Sequence, residues 1–181
     1  MSIIRDAATH SGAKVNDFGQ LLVEATTSTE DRHININHQE VWTLPIAATD
    51  PAGAGDYFFY FKNTGSETYF ITDIRISSTV AGHAHLKHVT GTPVYVGATT
   101  VVPVNRFLGS SKTPAATVNT DTDITGLSDE GTLFHMVLEA DKEHHMRTSA
   151  GVMIPPGQAV SISWGAATGI LEGTVSIVAL V

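Results

Sequence analysis

The sequence predicts an all-β protein: a single-domain, jelly-roll-like β-sandwich preceded by an extended N-terminal arm. Three observations carry that prediction. Short β-prone runs recur between turn residues along the 181-residue chain, a pattern of antiparallel strands rather than strand–helix–strand units. No stretch clearly sustains apolar residues at i, i+3, i+4 and i+7 without Gly or Pro, and Glu130–Lys142 comes nearest to a helical pattern. About eight strands with long excursions suit a jelly roll better than an immunoglobulin-like sandwich of about 100 residues.

Residues 1–14 read as an arm, with Ile3 and Ile4 the only large apolar anchors after Met1 in a polar stretch. The domain then spans 15–181. Val15 leads into the turn Asn16-Asp17-Phe18-Gly19, and Gln20–Glu24 reads as a strand. His33–Asn37 alternates strictly, placing Ile34 and Ile36 on one face. Val41–Leu44 reads as a short strand closed by Pro45, and Thr49–Gly55 as a flexible loop.

Tyr57–Phe61 and Tyr69–Ile76 flank the turn signal Lys62-Asn63-Thr64-Gly65-Ser66-Glu67, and the three together read as an antiparallel hairpin. In the second run, parity puts Phe70, Ile74 and Ile76 on one face and Asp73, Arg75 and Ser77 on the other with Ile71. The first run is aromatic on both faces: Tyr57, Phe59 and Phe61 on one, Phe58 and Tyr60 on the other. One face fills the domain's own core, and the second needs a cover, either the N-terminal arm or a neighbouring molecule. That surplus of apolar strand surface points to association rather than to a reaction.

Further on, Ser78–Gly82 reads as a turn and His83–Val89 as a strand broken by Thr90–Pro93. Val94–Val104, interrupted by Gly97 and Pro103, fits an edge strand or an excursion loop. Gly109–Thr122 reads as a surface loop, Thr132–Glu139 as a strand and Asp141–Ser149 as a polar loop. Val152–Ile154 meets the turn Pro155-Pro156-Gly157-Gln158, and Val160–Trp164 alternates apolar with small polar residues. After a turn at Gly165–Gly169, Gly173–Val181 ends the chain as a strand.

Composition removes several function classes. The net charge is −8 with 10 Lys+Arg and no basic cluster, so a nucleic-acid partner is not expected. With no cysteine there is neither a disulfide framework nor a thiolate ligand or nucleophile. No apolar run approaches the roughly 20 residues that span a bilayer, and the N-terminus lacks a hydrophobic signal core. No membrane partner is expected, and synthesis in a cytosol follows by default.

Of the nine histidines, His83 and His85 are the candidate metal ligands, because i and i+2 on a strand share a face about 6.5–7 Å apart. His135 could complete such a site. A cupin metal centre would need a glutamate four or five residues after the pair, where Val89 and Thr90 stand, and a later histidine beyond Pro155-Pro156-Gly157, where none follows. No metal or other cofactor is therefore expected. There is no Gly-x-Ser-x-Gly elbow and no phosphate-binding loop. Asp121, Asp123, Asp129 and Glu130 read as solvated turn residues rather than glycosidase acids or calcium ligands. Trp42 and Trp164 read as core or interface anchors. The chain is not expected to be an enzyme.

Several segments taken in order carry a family resemblance: Phe58–Thr64 leading to Ile71–Ser78, then Val89–Pro93, Pro103–Ser111, Ile124–Leu127 and Ile154–Val160. Across roughly residues 15–181 the chain resembles small virion proteins of tailed bacteriophages. The resemblance implies a jelly-roll capsid decoration (cement) protein. Such proteins commonly form homotrimers on the capsid's outer surface and clamp neighbouring major capsid proteins. A tail-fibre or baseplate jelly-roll module that binds host glycan is the alternative it implies. The expected contacts with the capsid or between subunits are Ile3, Ile4, Val15, Phe18, Tyr57, Phe59 and Phe61, the arm reaching a neighbour by strand addition or by filling pockets.

Overall fold

A computed structural model describes residues 38–180, together with three short strands, β1 (Ile4–Arg5), β2 (Gly12–Val15) and β3 (Leu21–Leu22). These three form a small antiparallel sheet in which Ile4 pairs with Ala13 and Val15 with Leu21. Strand β2 runs across the expected boundary between arm and domain. Ile3, Phe18 and the alternating run 33–37 lie outside the described residues.

The rest of the chain forms β4 (Val41–Thr49), β5 (Tyr57–Asn63), β6 (Thr68–Ser78), β7 (Gly82–Tyr95), β8 (Thr99–Thr100), β9 (Val104–Asn105) and β10 (Ala116–Thr120). It ends with β11 (Ile124–Leu138), β12 (Lys142–Ile154), β13 (Ala159–Trp164) and β14 (Leu171–Leu180). One sheet has the order β11-β7-β13-β5-β10-β8 and the other β12-β6-β14-β4-β9. The long strands alternate between them: β4, β6, β12 and β14 in one, β5, β7, β11 and β13 in the other. Only the passage from β7 to β11 returns to the sheet it left. That wrapping is a jelly roll, as the sequence predicts, and no helix occurs among the described residues.

The predicted hairpin is the main correction to the topology. Strands β5 and β6 do not pair: β5 lies between β13 and β10, and β6 between β12 and β14. The turn between them is a crossover from one sheet to the other. Asn63 fixes it. Its buried side chain donates to Glu67 O at 2.6 Å and Ile154 O at 2.9 Å, and its Oδ1 accepts from Gly65 N at 2.9 Å. Its backbone N–H reaches Gln158 O at 3.0 Å. The Pro155–Gln158 turn, placed as predicted, thus braces the crossover.

Two bulges reverse the predicted face assignments. The register between β5 and β13 shifts between the Phe59↔Ile162 and Tyr57↔Ser163 pairs, leaving Phe58 as the extra residue. Phe58 therefore joins Phe59 and Phe61 in the core, and Tyr57 and Tyr60 take the outer face. Between β6 and β14 the shift falls at Thr72, so Ile71 joins Ile74 and Ile76 inside instead of facing out with Asp73. Trp42, Tyr69 and Trp164 complete this core. Tyr69 meets Trp42 and Phe61 edge-on at 6.1 and 5.8 Å, contacts worth about 0.5–1.5 kcal/mol each beyond burial.

The outer aromatic face is covered by its own chain. Tyr60 packs with Val89, Ile124 and Ala159 in a second cluster, flanked by Tyr57, Tyr95 and Leu127. The cover comes from the far end of the β7–β11 ribbon, which runs through Thr90–Pro93 rather than breaking there. Its register shifts at Gly126, opposite Thr92 and Pro93, and Gly91 and Gly126 sit at φ +97° and +73°. A Cβ at either would lie 2.5 Å from a carbonyl oxygen of the facing strand, so only glycine allows the approach.

Other segments extend the predicted strands. Pro45 sits within β4, not at its end. Beyond Thr43 the strand is the sheet edge, where a missing N–H costs no ladder bond. Ala116–Thr120, read as loop, pairs with β5 and buries Val118. Lys142–Ser149, also read as loop, is strand β12 paired with β6.

Candidate functional site

The segment 94–108 carries the densest exposed apolar surface among the described residues. It crosses from the edge of one sheet to the edge of the other: β8 pairs with β10 and β9 with β4. Val101 N bonds Val118 O at 3.0 Å and its side chain is buried, plugging the gap between the sheets. The neighbouring side chains point out, with Leu108 87%, Val96 77% and Val102 73% exposed and Val94, Val104 and Phe107 also exposed.

The excursion is held at both ends. The Asp121 carboxylate, buried at the close of β10, accepts from Val96 N at 2.7 Å, Gly97 N at 3.0 Å and Thr122 N at 2.7 Å. At the other end Arg106 N donates to Val41 O at 2.9 Å. Asn105 donates to Gln39 O at 2.8 Å and accepts from Phe107 N at 2.8 Å. Trp42 Nε1 and Asn105 Nδ2 both reach Lys112 O, at 3.1 and 3.2 Å. A surface of apolar side chains on a backbone tied in this way presents little ordering cost to a partner.

The residues singled out from sequence fall elsewhere. Phe59 and Phe61 are wholly buried in the core and offer nothing to a neighbour. Tyr57 is half-buried under the Lys87 ammonium, 5.5 Å from the ring centroid, and burial raises its hydroxyl above the ordinary range against the opposing pull of Lys87. Ile4 and Val15 belong to the small N-terminal sheet, and Ile3 and Phe18 lie outside the described residues. The case for association from a two-faced aromatic strand therefore falls, and the apolar surface open to a neighbour is the excursion. Its signal was present in the sequence as seven large apolar residues within a Gly- and Pro-interrupted stretch.

His83 and His85 do share a face, and β11 brings His135 between them. His85 pairs directly with His135 across the strands, their rings stacked at 4.7 Å and 14°. His83 Nδ1 lies 2.8 Å from His135 Nε2. Burial, then the neighbouring His135, Lys87 and His83, lowers the His85 imidazolium below its ordinary range, with Asp129 opposing. The nitrogens meet one another rather than a common point, and no group of three metal-ligating residues among those described has the geometry to hold an ion.

The carboxylates are structural. Asp129 pairs with Lys87 at 2.7 Å, and Glu130 accepts from Thr90 Oγ1 at 2.6 Å. Both tryptophans are core residues whose indole N–H groups find backbone oxygens, Trp42 at Lys112 and Trp164 at Thr168. They form no exposed platform for a sugar. Between β11, β12 and β13 lies a groove of about 540 Å³ lined by Leu133, Phe134, Met153, Val160 and His88 among others.

No family model matches the chain, and neither a curated protein nor a solved structure does.

Proposed function

We propose that this chain is a structural virion protein, a head decoration (cement) protein. It binds the outer surface of a tailed-phage capsid as a homotrimer and stabilises contacts between major capsid proteins. The observation that carries this reading is the 94–108 excursion, an apolar surface on a rigid mount with no charged residue but Arg106 among its members. Exposed apolar side chains gathered in one segment suit a protein–protein contact. The jelly roll, the −8 charge and the sequence resemblance support the same role. Residues 1–14, with Ile3 and Ile4, would add a second attachment, so that modest contacts hold tightly together. No step of chemistry is assigned to the chain.

The test is a reconstruction of particles carrying the protein. Copies studding the shell, with 94–108 against a capsid protein or a neighbouring copy, are the expected result. Density confined to the tail would favour the glycan-binding module instead, and absence from the particle would end both readings.

A further inference from the structure

We infer that the seam between β7 and β11 is an acid-labile latch: protonation of the His83–His85–His135 cluster loosens edge strand β11, while β12, an edge strand of the other sheet, stays paired. Strand β11 ends its sheet, and among the described strands it is hydrogen-bonded to β7 alone. The hydrogen bond between His83 Nδ1 and His135 Nε2 needs one protonated and one bare nitrogen. One added proton leaves an imidazolium facing a bare nitrogen, so the bond survives it; a second leaves neither facing nitrogen bare, destroys the bond and sets two cations in contact. The stacked His85 ring makes a third.

Among the described residues nothing at the cluster offsets that charge by direct contact. On β7 the next outward residue is Lys87, itself cationic and engaged with Asp129 of β11. Glu130 of β11 is bonded to Thr90. The residues of β13 that pair with His85 and Lys87 are Ser163 and Ser161, and β5 contributes Tyr57. Only Asp129 acts on His85 in the opposite sense. Because the folded chain disfavours the charged form of His85, the unfolded chain binds more protons, and stability drains as pH falls below the ordinary histidine value of about 6.5.

The β12 edge is built the other way. His145 Nε2 contacts Asp73 Oδ1 across the β12–β6 seam, and Arg75 pairs with Asp73 at 3.1 Å. A proton at His145 meets a carboxylate there. His144 Nε2 accepts from Glu139 N at 2.8 Å at the β11–β12 turn. Because Leu133 and Phe134 line the groove beside β12, release of β11 would also widen it.

The test is native-state hydrogen exchange by mass spectrometry on the full chain at about pH 7.5 and about pH 5, corrected for intrinsic exchange, a span across which histidine changes charge. Peptides covering 132–138 should lose protection by about tenfold, what the loss of one hydrogen bond is worth, while those covering 142–147 keep theirs. His135→Gln and, separately, His83→Gln should each diminish the loss. Should one variant fail to fold, the other gives the same readout. Equal protection of 132–138 at both pH values, an undiminished loss in the folded variants, or equal loosening of β12 would overturn the latch.

Discussion

Phe58 and Phe59 are consecutive in the chain, yet both side chains lie wholly inside one core cluster. In a regular strand they would face opposite sides of the sheet. The bulge opposite Ile162 and Ser163 turns one of them over, converting a strand that seemed to need a neighbour into one that the chain covers by itself. The bulge predicts that Phe58→Ala costs as much as Phe59→Ala, about 3–5 kcal/mol each. Urea unfolding of both variants checks it; a Phe58 variant close to wild type would mean an unbulged strand.

Asp121 is the only side chain among those described whose carboxylate binds the backbone of residues 96 and 97. Asp121→Ala leaves those N–H groups without it and should lower stability by about 1.5–3 kcal/mol. Hydrogen exchange should show the Val96 and Gly97 amides losing protection first.

Gly126→Ala should destabilise by at least about 1 kcal/mol, because a positive φ and a backbone clash act together. The added Cβ would sit 2.5 Å from Thr92 O. Thermal unfolding reads the cost, and near-ultraviolet circular dichroism should report the displaced Tyr95 and Tyr60.

Asp123 gives a pH signature. Burial first, then the nearby Asp56 and Asp121, raises its carboxyl above the ordinary range. The folded chain therefore disfavours the ionised form, a penalty present above the folded value and absent below the unfolded value of about 3.9. Asp123→Asn should unfold at a higher temperature than wild type at neutral pH, and the difference should vanish as both are brought below that value.

Leu108→Ser and Val96→Ser should leave stability within about 0.5 kcal/mol of wild type, since both side chains face solvent. If the excursion is the attachment surface, the double variant should fail to bind particles in a sedimentation assay while unfolding normally.

Sequence reading succeeded where spacing is local. Val152–Ile154, the Pro155–Gln158 turn and the alternation of Val160, Ile162 and Trp164 all stand where the residues put them. So does the parity of β11, with Leu133 and Val137 outward and Leu138 inward. The misplaced registers and faces share one cause. Phe58, Thr72 and Gly126 each interrupt a register, and one extra residue reverses every face assignment beyond it. Lys142–Ser149 and Ala116–Thr120 are polar enough to read as loops, and only their partners make them strands.

The order of residues alone determined an all-β chain, its turns, its acidic surface and the adjacency of His83 and His85, because these depend on periodicity and composition. Tertiary structure decided that β5 and β6 part into different sheets, that the aromatic strand is sealed by its own chain, and that His135 joins the other two histidines. It also turned Val94, Val96, Val102 and Val104 outward while burying Val101. Each of these depends on which distant strand lies alongside, a choice set by the packing of the whole sandwich and not by any one segment.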